Sequence, residues 1–233
     1  MDNIVTIRQL QKNFGSTNAL NSINLNLEKG KVYGLLGPNA SGKTTLLKIL
    51  AGLISNYSGE ILIDGHKPST KTKSIVAYLP DRSDLYSWMT VRETIEYYHD
   101  FFEDFDVQKA RETMQFMDLT DNDVVEKLSK GMKARLKLAL TLARDAKLYL
   151  LDEPFDGIDI KTREKLIETI INSQRDESCM LISTHHVNYV EYLLEDLVFL
   201  SKGHILLKKN VEQLKEENNK SIVEMYMEVF ANA

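Results

Sequence analysis

Alternating hydrophobic and polar positions predict a small antiparallel sheet near the start of the chain. In residues 23–28 each apolar residue is followed by a polar one, which is typical of a strand with one buried face. Residues 4–8 and 60–63 also have the composition of strands, and we interpret both as antiparallel partners of the first. The turn pair Asp64-Gly65 ends the last of these segments.

A second pattern, of continuous apolar runs, predicts a parallel sheet covered by helices. Such runs are typical of strands that are buried on both faces, and they occupy residues 32–36, 148–151 and 180–183. Helices are predicted between them because apolar residues recur every three or four positions. The first helix has the apolar face Leu46, Leu47, Ile49, Leu50, Leu53 and Ile54, a capping box at Thr90 and Glu93 opens another, and residues 132–144 and 161–175 form two more.

Together these elements predict an α/β fold. Its core has a mainly parallel sheet, with an N-terminal antiparallel β subdomain and a mostly helical insertion at about residues 84–146. A short strand and helices at about residues 204–233 complete it. The 233 residues suit a single domain, spanning residues 1–233, and the sequence contains no internal repeat or linker-like stretch that would divide it.

The composition narrows the cellular setting and the class of partner. A net charge of −5 does not favour a nucleic-acid-binding protein, which would carry a basic excess, so no nucleic-acid partner is expected. The single cysteine, Cys179, cannot form an internal disulfide, which favours a reducing compartment. No apolar stretch approaches the roughly 20 residues that a bilayer crossing needs, and the N-terminus lacks the layout of a signal peptide. We therefore expect a cytoplasmic protein.

The most specific motif lies between the apolar run at residues 32–36 and the helix that follows it. It matches the pattern GxxxxGK[ST], in which glycines let the backbone approach phosphate oxygens and the start of the helix presents free N–H groups. Lys43 is expected to bridge the β- and γ-phosphates of a nucleoside triphosphate, and Thr44 to bind Mg²⁺. The expected nucleotide-binding residues are Gly37, Pro38, Asn39, Ala40, Ser41, Gly42, Lys43, Thr44 and Thr45.

Two adjacent carboxylates, Asp152 and Glu153, directly follow the apolar run at residues 148–151. The carboxyl end of a parallel strand is the edge at which the phosphate loop also lies. We expect Asp152 to hold Mg²⁺ and Glu153 to take a proton from an attacking water. The phosphate loop alone is compatible with ATP hydrolysis and with phosphoryl transfer by a small-molecule kinase. The adjacent carboxylates favour hydrolysis.

A third motif opens the basic helix, where residues 128–132 read Leu-Ser-Lys-Gly-Met. Ser129 fits the N-cap of this helix. The same helix end also suits an anion, with contacts from Ser129, Lys130 and Gly131. Within one chain such a site would duplicate the phosphate loop, whereas in two chains the motifs could close on opposite sides of one nucleotide.

In this order the motifs resemble those of the ATP-binding cassette (ABC) ATPases, over essentially the whole chain. The resemblance implies an ABC nucleotide-binding domain that binds ATP and Mg²⁺. Phe14 is similar to the aromatic residue that stacks on adenine. His185 is similar to the switch histidine that contacts the γ-phosphate, and the resemblance favours it over His186 because it directly follows Ser183-Thr184. Asp81 stands at the Q-loop position and is a further expected metal ligand, and residues 156–159 resemble the D-loop.

Three regions depart from the family pattern. Asp81 replaces the usual Gln of the Q-loop, and as an anion it would alter contacts to Mg²⁺ or to a membrane subunit. Lys130 replaces a glycine and Met132 a glutamine of the signature. Asp156 and Gly157 replace the small pair that is usual in the D-loop.

The resemblance implies the ATPase subunit of a transporter whose membrane-spanning part is a separate chain. Two cassettes would close head to tail on ATP and reopen after hydrolysis. The expected partners are therefore a second ABC ATPase chain, identical or homologous, and an integral membrane permease that holds the protein at the inner face of the cell membrane. The departures and the small size resemble exporters of peptides, antibiotics or related amphipathic compounds.

The alternative function is a non-transport ABC ATPase that acts on ribosomes or DNA. Relatives of that kind usually carry two cassettes or long insertions, whereas this chain has a single phosphate loop. Aromatic residues between Tyr86 and Phe105 are predicted to form the core of the insertion, with some exposed as a docking surface for the permease.

Overall fold

The structure is a computed structural model, which describes residues 2–81, 85–218 and 220–231. The predicted start of the insertion at about residue 84 and the end of the C-terminal segment at residue 233 lie outside the described residues. The strands are β1 (Asn3–Phe14), β2 (Thr17–Glu28), β3 (Val32–Leu36), β4 (Ser58–Ile63), β5 (Val76–Leu79), β6 (Leu148–Asp152), β7 (Cys179–Thr184), β8 (Asp196–Ser201) and β9 (His204–Asn210). The helices are α1 (Lys43–Leu50), α2 (Thr70–Lys73), α3 (Val91–Phe101), α4 (Val107–Phe116), α5 (Lys130–Leu142), α6 (Ile160–Ser173), α7 (Val211–Asn218) and α8 (Ile222–Ala231), with short 3₁₀ turns at Val125–Lys127 and Val187–Tyr189.

The N-terminal antiparallel sheet has the strand order β2-β1-β4. Residues 23–28 and 4–8 pair as predicted. The prediction that residues 60–63 pair with residues 23–28 is wrong, because they pair with β1, where Ile7 lies opposite Ile61. The long strand β1 is central and takes one partner on each edge, and local composition carries no information about which of three strands lies in the middle.

The second sheet has the order β5-β6-β7-β3-β8-β9. Neighbouring strands are parallel except β8 and β9, which are antiparallel. The three continuous apolar runs become β6, β7 and β3, which are adjacent in the middle of the sheet and buried at every position. The sequence pattern does not predict β5 or β8. This fold is the predicted α/β core with its antiparallel β subdomain.

Alternate residues of the central strands face two hydrophobic cores. In β6, Leu148 and Leu150 face the core that includes α1 and the antiparallel sheet. Tyr149 and Leu151 face the other core, to which α5, α6 and α8 contribute. Because both faces are covered, most strand positions hold an apolar residue and polar residues occur only at the carboxyl ends of β6 and β7, which explains the lack of alternation in the sequence.

Helix α1 is shorter than its apolar pattern predicts. It ends at Leu50, and Gly52 follows with a φ of +69°. Leu53 therefore lies beyond the helix and is 59% exposed, so its assignment to the buried face is wrong. A glycine in the left-handed region is a common way to end a helix, and it outweighs the continuing apolar repeat here.

The capping box predicted at the start of α3 is confirmed. The Thr90 hydroxyl accepts a hydrogen bond from the Glu93 N–H at 3.2 Å, and the Glu93 carboxylate accepts one from the Thr90 N–H at 2.7 Å. Two N–H groups that the helix cannot satisfy internally are satisfied in this way. The helix therefore begins at a position that the local sequence determines.

Helices α3, α4 and α5 lie between β5 and β6 in the chain. Arg144, buried just after α5, forms an ion pair with Asp104 at 2.5 Å and donates a hydrogen bond to the Ser74 carbonyl at 3.2 Å. Its guanidinium also lies over the Phe102 ring, 3.9 Å from the centroid. These contacts join the insertion to the sheet beside it. Among the residues that the structure describes, no helix has the length and apolar character to cross a membrane.

We expect the thiol of Cys179 to resist modification in the folded protein. Cys179 is wholly buried in β7, and burial raises the pKa of its thiol well above the ordinary value, so access and thiolate fraction are both low. Labelling should be at least about 5 × 10³-fold slower than in the unfolded chain, because even a modest stability of about 5 kcal/mol implies that ratio. Mass spectrometry with and without denaturant measures both rates, and rapid labelling in native buffer would contradict the burial.

Candidate active site

The phosphate loop occupies the turn between β3 and α1, as its motif predicts. Two glycines in it are required by close packing. A Cβ on Gly37 would lie 2.1 Å from the Leu200 carbonyl oxygen, and one on Gly42, whose φ is +111°, would lie 2.6 Å from the Ala19 carbonyl oxygen. The loop can therefore sit against β2 and β8 only with glycine at these positions.

Lys43 is buried at the start of α1 and is held by the loop that precedes it. Its Nζ donates to the Gly37 carbonyl at 2.7 Å and the Pro38 carbonyl at 3.1 Å, and lies 3.3 Å from Glu153 Oε1. Ser41 Oγ is buried beside it with no hydrogen-bond partner among the described residues. The Ser41 hydroxyl is thus a buried donor that an anion can satisfy, and Lys43 adds a positive charge that can exchange one of its present acceptors for a phosphate oxygen.

A cleft of about 340 Å³ opens over this loop. It is lined by residues 17–19 of β2, by residues 39–45 and by the acids Asp81 and Glu153. The loop thus presents a helix N-terminus and a lysine to the cleft, and the Glu153 carboxylate lies in contact with that lysine. This arrangement fits a phosphate chain that carries a cation.

The Asp152 carboxylate is the most enclosed acid of the site, at 1% exposure. It accepts hydrogen bonds from the hydroxyls of Thr44 at 3.1 Å, Ser183 at 2.6 Å and Tyr78 at 3.3 Å. Burial raises the pKa of this carboxyl above its ordinary value, the hydrogen bonds from Ser183 and Thr44 lower it, and the nearby charge of Asp81 raises it. A carboxylate and a hydroxyl are oxygen ligands, which a hard cation such as Mg²⁺ prefers, and a cation would offset the cost of burying this charge.

Glu153 turns sharply away from β6, with a φ of +47°. Its carboxylate lies 3.0 Å from His185 Nδ1 and 3.3 Å from Lys43 Nζ. Its own N–H donates to the Ser183 carbonyl at 3.1 Å. A non-glycine residue in the left-handed region costs free energy, about 1 kcal/mol or more, and such strain is often found at functional sites. In this backbone conformation the Glu153 carboxylate lies beside Lys43 of the phosphate loop.

The two adjacent histidines have different surroundings. His185 contacts the Glu153 carboxylate through both its ring and its backbone N–H. His186 stacks against His185 with ring centroids 3.8 Å apart, and its Nε2 lies 3.8 Å from Asp156. The structure therefore places His185, rather than His186, beside Glu153.

The signature residues do not line the phosphate-loop cleft in the described part of the chain. Ser129 Oγ accepts a hydrogen bond from the Met132 N–H at 3.2 Å and so caps α5. Lys130 Nζ lies 3.9 Å from Asp156. Lys130 also borders a second cleft, of about 350 Å³, together with Asp81 and Glu153. A Cβ on Gly131 would make only ordinary contacts, so packing within the chain does not require glycine there.

Phe14 lies at the end of β1 and is half exposed, outside the residues that line the phosphate-loop cleft. Lys12 Nζ stands over its ring, 4.6 Å from the centroid. The ring is therefore available to a planar ligand, but no described contact joins it to the phosphate loop.

Two direct neighbours of Asp152 had no role assigned from the sequence. Ser183 lies opposite Asp152 in the pairing of β6 with β7. Tyr78 belongs to β5, on the other side of β6, opposite Leu150. Both are polar residues near the carboxyl ends of strands that flank β6. The signal is present in the sequence, but it becomes useful only once the order of the strands is known.

Comparison with known proteins identifies the family. A sequence model of the family described as ABC transporter matches residues 20–156, more than half of the chain. YtrB of Bacillus subtilis (strain 168), an ABC transporter ATP-binding protein, is 34% identical over 92% of this chain and 74% of YtrB. SrtF of Streptococcus pyogenes, a lantibiotic transport ATP-binding protein, is 31% identical over 94% of this chain and 98% of SrtF. SsuB of Bacillus cereus, an aliphatic sulfonates import ATP-binding protein, is 31% identical over 97% of this chain and 94% of SsuB.

Solved structures have the same fold. An ATP binding subunit of an ABC transporter superposes with a TM-score of 0.87 at 22% identity, covering 97% of this chain and 98% of that one. The cassette MJ0796, solved as a dimer in a post-hydrolysis state with ADP and Pi, superposes with a TM-score of 0.79 at 24% identity, covering 89% and 98%. The sequence matches and the shared fold agree, and they make the chain a member of the ABC transporter family, an ATP-binding subunit with ATPase activity.

Proposed function

We propose that this chain hydrolyses Mg²⁺–ATP at the phosphate-loop cleft and thereby drives a separate membrane permease. The observation that carries the proposal is the contact of Glu153 with both Lys43 and His185, beside the Thr44–Asp152 pair. It brings a phosphate-binding cation, a base and two oxygen ligands to one end of the cleft.

The roles follow from the chemistry of each side chain. Lys43 and the backbone N–H groups of residues 39–45 bind the phosphates, and Phe14, by its resemblance to the aromatic residue of the family, stacks on the adenine. Glu153 takes a proton from the attacking water, and His185 contacts the γ-phosphate and holds the Glu153 carboxylate in place.

Mg²⁺, when bound, supplies positive charge to the phosphate oxygens. Thr44 and Asp152 would hold it, and Asp81, which borders the same cleft, is the third proposed ligand.

Two copies of the chain, or this chain and a homologue, are proposed to enclose each ATP head to tail. The support is that Ser129, Lys130 and Gly131 lie outside the lining of the cleft over their own phosphate loop, and Lys130 borders a different one. In a head-to-tail pair these residues would contact the γ-phosphate bound to the partner. The dimeric structure of MJ0796 is a precedent for pairing in this fold.

The transported compound is proposed to be a peptide, an antibiotic or a related amphipathic compound moved outward. The likeness to SrtF, a lantibiotic transport protein, supports this choice, and SsuB, an import protein, is the competing precedent. The chain would then act at the cytoplasmic face of the membrane through its permease. Uptake or export by vesicles that contain the permease, with ATP inside or outside, distinguishes the two directions.

The proposed contact with the permease is an aromatic surface on the insertion, formed by Tyr86, Trp88, Tyr97 and Phe101. The ring centroid of each residue lies within 6.0 Å of the centroid of at least one other ring in the set, and Trp88 and Phe101 are each 67% exposed. Phe105, by contrast, is buried. Contiguous exposed aromatic rings are typical of protein interfaces.

Replacing Trp88 by Asp is expected to weaken permease binding by about 2 kcal/mol or more, because exposed aromatic anchors carry much of the energy of an interface. Nucleotide affinity and the thermal melt should stay as in the wild type. Binding is measured by recovery of the permease in mild detergent. Tyr192→Asp is the matched control, since Tyr192 is similarly accessible at 62% but lies outside this surface. Normal permease recovery by a well-folded Trp88→Asp protein would place the interface elsewhere.

A further inference from the structure

Three side chains that suit a transition metal meet beside the proposed active site. Asp156, His185 and His186 each offer a ligand atom, and these atoms all lie within 4.8 Å of one another. His186 Nε2 is 3.8 Å from Asp156 Oδ1. The two imidazole rings are 3.8 Å apart at their centroids. All three groups are partly exposed, so an ion in solution can reach them.

A second observation prepares His185 to act as a ligand. Its Nδ1 lies 3.0 Å from Glu153 Oε1. With the proton on Nδ1 donated to this carboxylate, the lone pair is on Nε2, the other ring nitrogen. A carboxylate behind an imidazole is the common outer arrangement of metal-binding histidines, because it orients the ring and raises its basicity.

The donor set selects the metal. Two imidazoles and one carboxylate suit Zn²⁺, and Ni²⁺ and Cu²⁺ next to it, whereas Mg²⁺ prefers oxygen ligands alone. Bonds of about 2.0–2.2 Å require the three ligand atoms to move closer together than they now are. Lys130, 3.9 Å from Asp156, is the competing cation and must turn away. Its side chain is 71% exposed, so it can turn into solvent.

We propose that Asp156, His185 and His186 form an inhibitory site for Zn²⁺ and similar transition-metal ions. An ion bound there would hold His185 through Nε2 and keep it from the γ-phosphate. Asp156 is one of the residues at which this sequence departs from the family pattern. Metal binding does not depend on the proposed function, but inhibition rests on it.

The binding test uses the nucleotide-free protein and Zn²⁺ held at known free concentrations by a chelator buffer. Zn²⁺ affinity is expected to fall about 10- to 100-fold in His186→Gln and in Asp156→Asn, a loss of the size found when metal sites are weakened. His99→Gln, which removes an exposed histidine from α3, is the matched control and should bind as the wild type does. Co²⁺ offers a second measurement, since its visible absorption spectrum reports the coordination number and geometry around the bound ion. Equal affinity in the wild type and both site variants would overturn the proposal, and thermal melts establish that each variant is folded.

The inhibition test compares each protein with its own ATPase rate at zero free Zn²⁺. The wild type and His99→Gln are expected to lose activity as Zn²⁺ fills the site and to regain it when chelator is added, while His186→Gln resists. Site-specific Zn²⁺ binding without any loss of hydrolysis would overturn the inhibitory role. A wild type that binds Zn²⁺ but has no ATPase activity at all would instead contradict the proposed function and leave the metal site standing.

Discussion

Replacing Glu153 by Gln is expected to lower the rate of ATP hydrolysis by at least about 100-fold, because that is the scale of a lost general base. Gln has nearly the same shape and keeps one carbonyl oxygen, so the contact with His185 Nδ1 can persist. It cannot take a proton from water at neutral pH. Phosphate release measured at saturating Mg²⁺–ATP gives the rate.

Nucleotide affinity should survive this change, since Lys43 still has its contacts to the Gly37 and Pro38 carbonyls. The variant should therefore accumulate an ATP-bound dimer that size-exclusion chromatography detects. Glu216→Gln is the matched control, because it removes the same charge from an exposed position on α7. A Glu153→Gln protein that turns over within a few-fold of the wild type would show that another group is the base.

Mixing two inactive variants is expected to restore activity if each ATP is enclosed by two chains. Lys43→Ala removes the phosphate contact, and Ser129→Arg blocks the signature that would face the partner. In a mixed dimer, one nucleotide site contains both substitutions and the other site contains neither. With equal amounts and random pairing, up to about a quarter of the wild-type activity should return. Steady-state ATPase assays of each variant and of the mixture measure this.

A second mixture tests whether recovery arises from that geometry. Lys43→Ala and Glu153→Gln both alter the phosphate-loop half of the site, so their mixed dimer has no intact site and should stay inactive. Ser129→Arg also removes the N-cap of α5, at a cost of about 1 kcal/mol, so its thermal melt must accompany the assay. Mixed dimers that form and remain inactive in the first mixture would contradict the head-to-tail arrangement.

The sequence predicted those features correctly whose physical requirement lies within one short segment of the chain. The phosphate loop was recognisable because Gly37 and Gly42 lie where any side chain would collide with the backbone of β2 or β8. The capping box at Thr90 is satisfied within four residues. The central strands were recognisable because burial on both faces favours apolar residues at nearly every position. In each case one short segment carries the whole constraint.

Predictions failed where a segment's neighbours, rather than its own repeat, decide its place. Residues 60–63 have the composition of a strand, but only the packing of the whole antiparallel sheet makes β1 their partner. Leu53 continues an apolar repeat that Gly52 interrupts. The periodicity of apolar residues shows which face a segment can bury. It does not show which other segments will pack against that face.

The chemistry of this protein can be read from its residues alone: a phosphate loop, a carboxylate pair after a buried strand and the order in which they occur. How these groups meet depends on the fold. The placement of β6 between β5 and β7 brings Tyr78 and Ser183 to Asp152, although they are 74 and 31 residues away from it. The same arrangement brings His185, the histidine that the resemblance favours, into contact with Glu153. Residue type fixes what a side chain can bind or donate, whereas its partner depends on strand order, which is a property of the whole sheet.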